Sequence, residues 1–394
     1  QTGIQQGYLS DLDENDLLAT YGPDIAEAVG QDNIDACRVN GVLYGLPSNR
    51  DIAQGRGCAA IATEYLDGIG YEVKSDDEIV KISLDELNDI YAQLHEKYPD
   101  KEVYRPTTGS MSQFSNVDSL GGNVFGVLLD YGQNLDVVNL FESDFYKNYC
   151  ARLYDYNQKG YISADASTDT TAVGELVKAG TLMSYTTGGK PGIKAQETTL
   201  TGRDMTIFQT LDDYISSTSV AGMPWTIPIS AQHKEAAMKF LNECYTNADI
   251  ANLLAWGIEG THYKIGDDGL ATYADGVDAS NSGWNHSMGW MMPNQFLTHV
   301  WEGNDPDLWT KMKEFNTNAK VSKASGFSFD STNVANELTA VQNVYNEYQT
   351  SVEYGFVDPE TGIAEMNDKM MAAGLQKIID EKAAQLAAWQ EANK

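Results

Sequence analysis

The hydrophobic pattern changes along this chain, and that change constrains its fold more than any other feature. Over the first two thirds, short strand patterns alternate with amphipathic helix patterns, whereas helix patterns dominate the last third. Alternating strands and helices are typical of layered α/β domains. The chain has 394 residues, while single domains usually contain about 100–200, so two domains are expected. We therefore predict an α/β protein with two lobes and a helical C-terminal tail.

Local motifs predict individual elements. Asn40-Gly41 lies between alternating residues and is the strongest short indication of a β-hairpin turn. The segment Gly57–Thr63, "GCAAIAT", predicts a buried strand. Leu84–Tyr98 has apolar residues at helical spacing, and Ser83 with Glu86 predicts a capping box at its start. Two long C-terminal helices are predicted over Thr332–Tyr348 and Glu365–Asn393.

The charge of the chain is strongly negative, with 57 Asp and Glu against 26 Lys and Arg and a formal net charge of −31. Nucleic acid is excluded as a partner, because phosphate binding requires a basic patch that releases counterions. An anionic membrane surface is disfavoured for the same reason. No apolar run approaches the ~18 residues that span a bilayer, and no signal peptide is visible. The acidity excludes these partners but says nothing direct about the ligand.

The cysteines of the chain are too few and too far apart for a metal knuckle or a disulfide scaffold. Buried thiols are the favoured interpretation, because free cysteine behaves as a small apolar side chain. A single bridge between Cys37 and Cys58 stays open as an alternative if the protein is exported. The four positions are Cys37, Cys58, Cys150 and Cys244.

Sequence motifs for catalysis, metal binding and cofactor binding are absent. The chain contains no HExxH, GxSxG or GxGxxG. Lys190 in "TTGGKPG" is followed by Pro191, so the phosphate-loop pattern fails, and Asp16 occupies the glycine position of a calcium-loop-like segment. We therefore predict no catalytic residue, no metal and no cofactor. Because acidic residues are so abundant, no spacing selects a catalytic pair, and a glycoside hydrolase stays the less favoured alternative.

Aromatic residues in polar loops are the positive indication of function. Trp225 lies between two prolines, and Trp284 and Trp290 lie in "SGWNHSMGWMMPNQF". Flat aromatic faces surrounded by amides suit the apolar faces of sugar rings, although packing within a core is the alternative for each of them. The remaining tryptophans have helical contexts and are assigned to packing, at Trp256, Trp301, Trp309 and Trp389.

The order of several segments resembles one protein family. "VNGVLYGLP", "EYLDGIGYE" and "SLDELNDIYAQLHEKYPD" are similar to the hinge-crossing region of extracellular solute-binding proteins of sugar-type ABC transporters. "PISAQHKEAAMKFLNECYTNADIANLLAWGIEGTHYKI" is similar to their return segment. "WMMPNQF", "GFSFDSTNV" and "AAGLQKIIDEKAAQLAAW" resemble strings of the larger, lipoprotein-like members from Gram-positive gut bacteria. The resemblance covers nearly the whole chain.

This resemblance implies a periplasmic-binding-protein-like (type II) fold, in which hinge strands join two α/β lobes that close on a ligand. The implied first lobe is 1–60 with 223–326, and the implied second lobe is 61–222 with 327–394. Crossings are implied near Gly57–Thr63, Met223–Ile229 and Gly326–Asp330. In the family, βα units precede the segment that matches "QQGYLSDLDENDLL". We therefore expect a first lobe that lacks these opening units. We also expect the native protein to be longer, with a signal peptide and a lipidated Cys.

The family pattern also implies which residues contact the ligand. Asn49, Arg50 and Asp51 follow "YGLP", where Arg50 and Asp51 either contact hydroxyl groups or pair with each other. Gln113 is the implied polar contact of "TTGSMSQF", and Tyr185 stands where relatives place a stacking ring. Phe329 is either a wall of the cleft or part of the core. The other implied contacts are Trp225, Trp284, Trp290 and Asn294.

The resulting hypothesis is a binding protein and not an enzyme. We expect a monomeric, extracellular, lipid-anchored protein that delivers a carbohydrate, with an oligosaccharide as the favoured ligand, to an ABC permease in the membrane. The same fold with a peptide or another amphipathic solute as ligand is the alternative. A charged contact, such as an Arg that binds a carboxylate, would favour that alternative.

Overall fold

The computed structural model of the protein describes residues 2–75, 77–284 and 289–392. Its helices are α1 Thr2–Gln5, α2 Leu17–Tyr21, α3 Ile25–Val29, α4 Gln31–Asp35, α5 Thr63–Ile69, α6 Leu84–Lys97, α7 Ser110–Gln113, α8 Asp144–Gln158, α9 Val173–Ala179, α10 Ile193–Thr201, α11 Lys234–Thr246, α12 Ala248–Trp256, α13 Leu308–Asn318, α14 Ala335–Glu353, α15 Pro359–Ala373 and α16 Leu375–Ala392. Its strands are β1 Arg38–Val39, β2 Val42–Leu43, β3 Leu46–Pro47, β4 Gln54–Ala62, β5 Ile79–Lys81, β6 Glu102–Arg105, β7 Leu182–Gly189, β8 Met205–Gln209, β9 Asp213–Ile215, β10 Pro224–Trp225, β11 Tyr263–Ile265, β12 Ala271–Tyr273 and β13 Lys320–Val321.

The chain divides into two compact units, each built from separate stretches of sequence. The expected lobe boundary at 60/61 would cut β4, but this strand pairs along its length with β7, β8 and β9 and lies wholly in unit 2. Three further stretches differ from the expected division. Residues 217–222 and 327–328 belong to unit 1, and residues 318–324 belong to unit 2. Unit 1 comprises Gln1–Ile52, Ser217–Thr317 and Ser325–Ser328, and unit 2 comprises Ala53–Ser216, Asn318–Ala324 and Phe329–Lys394.

Unit 1 is mainly helical, and the strands among its described residues pair only in twos. The predicted hairpin is confirmed: β1 and β2 are antiparallel, and Asn40 and Gly41 between them have φ values of 52° and 83°. Both residues therefore adopt the left-handed conformation that a two-residue type I′ turn requires. The second strand pair joins β3 to β10, and the third joins β11 to β12. The main core contains Leu12, Ile25, Ile34, Leu43, Leu46, Met238 and Tyr245.

Unit 2 contains a seven-stranded sheet. Its central strand, β4, runs antiparallel to both β7 and β8. Strands β6 and β5 are parallel to β7 and β8, respectively. Consequently β5, β6, β7 and β8 all end at the same edge of the sheet, which is where ligands of open α/β sheets usually bind.

Helix α6 begins as the sequence predicts, with Ser83 as its N-cap. The Ser83 hydroxyl accepts a hydrogen bond from the backbone N–H of Glu86 at 3.0 Å. The side chain of Glu86 does not return to Ser83; it accepts hydrogen bonds from Tyr71 and Lys74 at 3.0 and 2.9 Å. The N-cap is therefore confirmed, while the Glu86 carboxylate connects α6 to the segment before β5 instead.

The C-terminal tail of unit 2 is helical, as predicted, but the single helix expected over Glu365–Asn393 is two helices. The chain turns at Gly374, whose φ of 109° closes α15 before α16 begins at Leu375. A left-handed glycine is the common end of a helix, because it has no Cβ to clash with the turn. Helices α14 and α15 pack on each other and on α8.

Two charged side chains are buried in this helical region. Glu353, 1% exposed, accepts hydrogen bonds from the hydroxyls of Tyr345 and Tyr146 at 2.6 and 3.1 Å, and burial raises its pKa to about 7. Lys382 on α16 is fully buried, and burial lowers its pKa to about 7. Its ammonium group donates to the carbonyls of Ser119, Asn123 and Gly126 and to Asn123 Oδ1, at distances of 2.8–3.2 Å.

All four cysteines are free and buried, so the bridge considered between Cys37 and Cys58 is absent. Burial raises the pKa of the Cys37 and Cys58 thiols to about 12, which makes both of them unreactive. Among the described residues, no helix combines the length and the apolar character needed to cross a membrane.

Candidate functional site

Unit 1 carries a pocket of about 300 Å³ beside the end of β3, lined by polar and apolar side chains in similar measure. Two of the predicted contacts, Asn49 and Arg50, line it. Helix α13 supplies Lys313 and Asn316 to its lining. Among the described residues, the lining contains two cations and several amide or hydroxyl groups, but no Asp or Glu. The pocket can therefore donate hydrogen bonds in several directions.

Asn49 and Asn294 lie side by side in unit 1. Their backbones form a parallel bridge, in which the N–H of Asn49 donates to the carbonyl of Pro293 at 2.8 Å. Asn294 is only 5% exposed, and both ends of its amide are used inside the protein. It donates to the carbonyl of Tyr245 at 2.8 Å and accepts from the N–H of Phe296 at 3.1 Å. The expected role of Asn294 as a ligand contact therefore does not fit its position.

Asn316 holds the segment around Arg50 and Asp51 in place. Its amide accepts from the N–H of Ile52 at 3.0 Å and donates to the carbonyl of Arg50 at 2.9 Å. The guanidinium of Arg50 donates to the backbone carbonyl of Asp51, and Asp51 itself is 9% exposed. Of these two predicted ligand contacts, Arg50 is therefore the accessible one. It lines the pocket, whereas Asp51 does not.

Three tryptophans predicted as sugar contacts lie in unit 1. The indole N–H of Trp225 donates to the carbonyl of Met291 at 3.0 Å, which connects it directly to the turn that carries Trp290. Trp290 is 39% exposed. Trp284 is 40% exposed, and its indole N–H donates to the carbonyl of Ala255 at 3.3 Å. The structure therefore joins Trp225 to the Trp290 turn and ties Trp284 to the end of α12.

The three predicted contacts in unit 2 are less accessible. Tyr185 on β7 is 3% exposed, and its hydroxyl donates to Glu197 on α10. A buried ring with an occupied hydroxyl cannot stack on a sugar, so the expected role of Tyr185 does not fit. Phe329 is 2% exposed and lies 5.4 Å from the Lys382 ammonium, which favours its alternative as core. Gln113 ends α7 and is half-buried next to Phe114.

A second pocket, of about 460 Å³, lies in unit 2 and was missed by sequence reasoning. Thr210 and Leu211 follow β8, and Leu84 begins the helix after β5, so part of the pocket lies at the sheet edge where the parallel strands end. Helix α8 supplies Tyr149 and Arg152. Three asparagines and three aromatic rings complete most of the wall, namely Asn88, Asn116, Asn148, Phe114, Phe145 and Tyr149.

Acidic side chains are few in the described linings of the two pockets. The unit 1 pocket has no carboxylate, and the single carboxylate of the unit 2 pocket, Asp155, pairs with Lys159 at 2.7 Å. A glycoside hydrolase needs two carboxyl groups across the sugar. Within the described part of the chain, no three His, Cys, Asp or Glu side chains are grouped so that they could hold a metal ion. Each pocket instead provides amide groups, at least one aromatic ring and at least one cation, which are binding groups.

Several known proteins are similar to this chain. Residues 323–391 match a family model described as a domain of unknown function, DUF3502. A carbohydrate ABC transporter substrate-binding protein from Streptococcus pneumoniae is 27% identical over 391 residues, covering 96% of this chain and 75% of that protein.

Solved structures match the chain over its full length. The N-glycan transport solute binding protein (NgtS) from Streptococcus pneumoniae has a TM-score of 0.84 and 24% identity, covering 100% of this chain and 85% of that chain. The same protein in complex with Man5GlcNAc has a TM-score of 0.75 and 24% identity, covering 100% of this chain and 84% of that chain. The resemblance to solute-binding proteins of sugar-type ABC transporters is thereby confirmed, and the chain has the type II solute-binding-protein fold.

Proposed function

We propose that this protein is the extracellular substrate-binding component of an ABC importer and that its ligand is an oligosaccharide. The observation that carries the proposal is the match of the whole chain, in sequence and in fold, to carbohydrate-binding relatives. One of these relatives has been crystallised with Man5GlcNAc. The aromatic and amide groups of the two pockets are those that contact sugar rings and hydroxyl groups.

The proposed activity is binding without chemical conversion. The pocket residues support this, because neither lining contains two carboxylates that could act as acid and nucleophile. Turnover of a glycan by the purified protein, lost on substitution of one carboxylate, would overturn this part of the proposal. A peptide ligand is the remaining alternative within the same fold.

The proposed partner is an ABC permease, and the proposed location is the outer face of the cell membrane, with a lipid anchor on an upstream segment. A monomer suits this role, because the net charge of −31 makes copies of the chain repel one another. Closure of the two units on the ligand stays a prediction. A decrease in the radius of gyration on ligand addition, measured by small-angle X-ray scattering, would support it.

Isothermal titration calorimetry against a glycan panel tests the function directly. The panel should contain neutral and acidic oligosaccharides, their monosaccharides, and short peptides of similar mass. We expect saturable binding of at least one oligosaccharide and weaker binding of its monosaccharides. Binding of peptides alone, or no binding of any sugar at millimolar concentration by the natural full-length protein, would contradict the proposal.

A further inference from the structure

Arg152 is the cation in the described lining of the unit 2 pocket. Two other arginines of unit 2 face carboxylates: Arg105 pairs with Glu102 at 2.7 Å and with Asp169 at 3.0 Å, and Arg203 pairs with Glu64. The guanidinium of Arg56 instead donates to the backbone carbonyl of Ser112 at 2.9 Å, outside the lining of this pocket. No carboxylate of the described residues forms an ion pair with Arg152, although the chain has 57 acidic residues. An arginine without an acid in so acidic a protein has a positive charge available for a ligand.

Aromatic rings fix the position of the Arg152 guanidinium. Its central carbon lies 5.0 Å from the centre of the Phe114 ring and 5.3 Å from that of the Tyr149 ring. Burial holds the pKa of Tyr149 well above its ordinary value, so this phenol stays neutral and does not cancel the charge. A guanidinium that is held against two rings loses less side-chain freedom when it binds, and its planar fork matches a carboxylate.

The neighbouring carboxylate does not compete for Arg152. Asp155 lies one turn further along α8 and is also part of the pocket wall. Its Oδ2 pairs with the ammonium of Lys159 at 2.7 Å. The described wall of the pocket therefore contains one cation without an acidic partner, rings that can cover a sugar face, and the amides of Asn116 and Asn148 for hydroxyl groups.

We infer that the unit 2 pocket binds an acidic sugar residue of the ligand and that Arg152 reads its carboxylate. This inference rests on the proposed oligosaccharide function and narrows the ligand to carboxylate-bearing glycans. Asparagine side chains bind the hydroxyl groups, and Phe114 and Tyr149 provide apolar surface beside the ring. Arg152 is thus a residue that determines specificity. An uncharged analogue of the same sugar cannot form the ion pair with Arg152.

The test compares each acidic oligosaccharide with its own methyl ester, which has the same rings but no charge. The glycans contain hexuronic acid or sialic acid, and affinities are measured by calorimetry for the wild type, Arg152→Gln and Lys147→Gln. Lys147→Gln is the matched control, because it removes one positive charge from the same helix but does not line this pocket. Thermal unfolding of each variant checks that the fold is intact.

For the wild type we expect the acid to bind about 10- to 100-fold more tightly than the ester, as charge-assisted hydrogen bonds do. The preference should disappear in Arg152→Gln, with the affinity for the ester unchanged, and persist in Lys147→Gln. Equal binding of acid and ester, or a preference that survives in Arg152→Gln, overturns the inference while leaving the oligosaccharide function intact. Binding of no glycan, or of acidic peptides only, overturns both.

Discussion

The indole N–H of Trp225 donates a hydrogen bond to the carbonyl of Met291 at 3.0 Å. Trp225 belongs to β10, which pairs with β3, and Met291 ends the turn that presents Trp290. The bond therefore connects a paired strand of unit 1 to an exposed aromatic side chain. If this turn contacts the oligosaccharide, its position depends on Trp225.

Replacing Trp225 by Phe should loosen this turn, because Phe keeps a ring but cannot donate the hydrogen bond. We expect stability to fall by about 1 kcal/mol and oligosaccharide affinity to fall several-fold. Trp309→Phe is the matched control, since its indole N–H also donates to a backbone carbonyl of unit 1, that of Thr298 at 2.7 Å. Stability is measured by urea unfolding and glycan affinity by calorimetry. If the control loses similar stability but keeps its affinity, the affinity loss of Trp225→Phe comes from the Trp290 turn and not from general destabilisation.

Trp290→Ala should weaken ligand binding with little change in stability. The side chain is 39% exposed, so its removal costs little packing, whereas stacking on a sugar contributes about 0.5–1.5 kcal/mol, or roughly two- to tenfold in affinity. Phe240→Ala is the comparison, because Phe240 is an exposed aromatic residue of unit 1 on α11. Equal glycan affinity in both variants would assign Trp290 to another role.

Glu353 should make stability depend on pH. Burial raises its pKa from an ordinary value of 4.5 to about 7, so the folded protein holds this proton more tightly than the unfolded chain. Its contribution to stability is complete below pH 4.5 and is lost as the pH rises through 7. Glu353→Gln imitates the protonated acid and keeps an acceptor for Tyr345. The free energy of unfolding of the wild type relative to this variant should fall between those pH values, by up to about 1.4 kcal/mol per pH unit.

Parallel pH dependence of Glu353→Gln and the wild type over this range would show that Glu353 does not titrate there. Urea unfolding curves at closely spaced pH values are the appropriate measurement, because they give the free energy directly. Glu347→Gln, an exposed position on the same helix, controls for the loss of one negative charge.

Lys382→Met should destabilise the protein strongly. Methionine fills a similar space but leaves three backbone carbonyls and Asn123 Oδ1 without their donor, at a cost of about 3 kcal/mol or more. Lys377→Met on the same helix loses only an exposed ion pair with Glu337 and should cost less than about 1 kcal/mol. Equal losses in the two variants would contradict the role assigned to the buried ammonium.

The lysine also has a pH dependence of the opposite sign. Burial lowers the pKa of Lys382 from 10.5 to about 7, so between these values the unfolded chain binds the proton more tightly. Stability should therefore rise as the pH increases from 7 towards 10.5, and this rise should be absent in Lys382→Met. Chemical unfolding across that range measures the difference.

Local backbone preferences made much of the fold predictable. Asn40-Gly41 was recognised because few residues accept positive φ, and Ser83 because its hydroxyl can cap a helix. A glycine is harder to interpret where its role is packing. Gly189 ends β7, where its Cα lies 3.1 Å from the position of a Cβ on Gly55. Such close approach between strands leaves no periodic pattern in the sequence.

The candidate site was only partly predictable for a related reason. Asn294 has the chemistry of a sugar contact, but its amide donates to the carbonyl of Tyr245, 49 positions earlier in the sequence, and accepts from the nearby N–H of Phe296. The pocket around Arg152 combines residues from α6, the segment after α7, α8 and the loop after β8. No spacing rule connects positions so far apart, and only the folded topology brings them together.

Each unit of this protein is assembled from stretches that are distant in the chain, and this affects its biogenesis. The sheet of unit 2 starts at Gln54 but receives β13 only at Lys320, and Lys382 reaches its carbonyl acceptors from the last helix. During synthesis or export, unit 2 therefore emerges without its closing elements, and its apolar surface stays open until nearly the whole chain is available. We therefore expect chaperones to bind the incomplete chain and folding to be delayed until synthesis is nearly finished. A chain that lacks the C-terminal helices should aggregate and should not form a shorter functional protein.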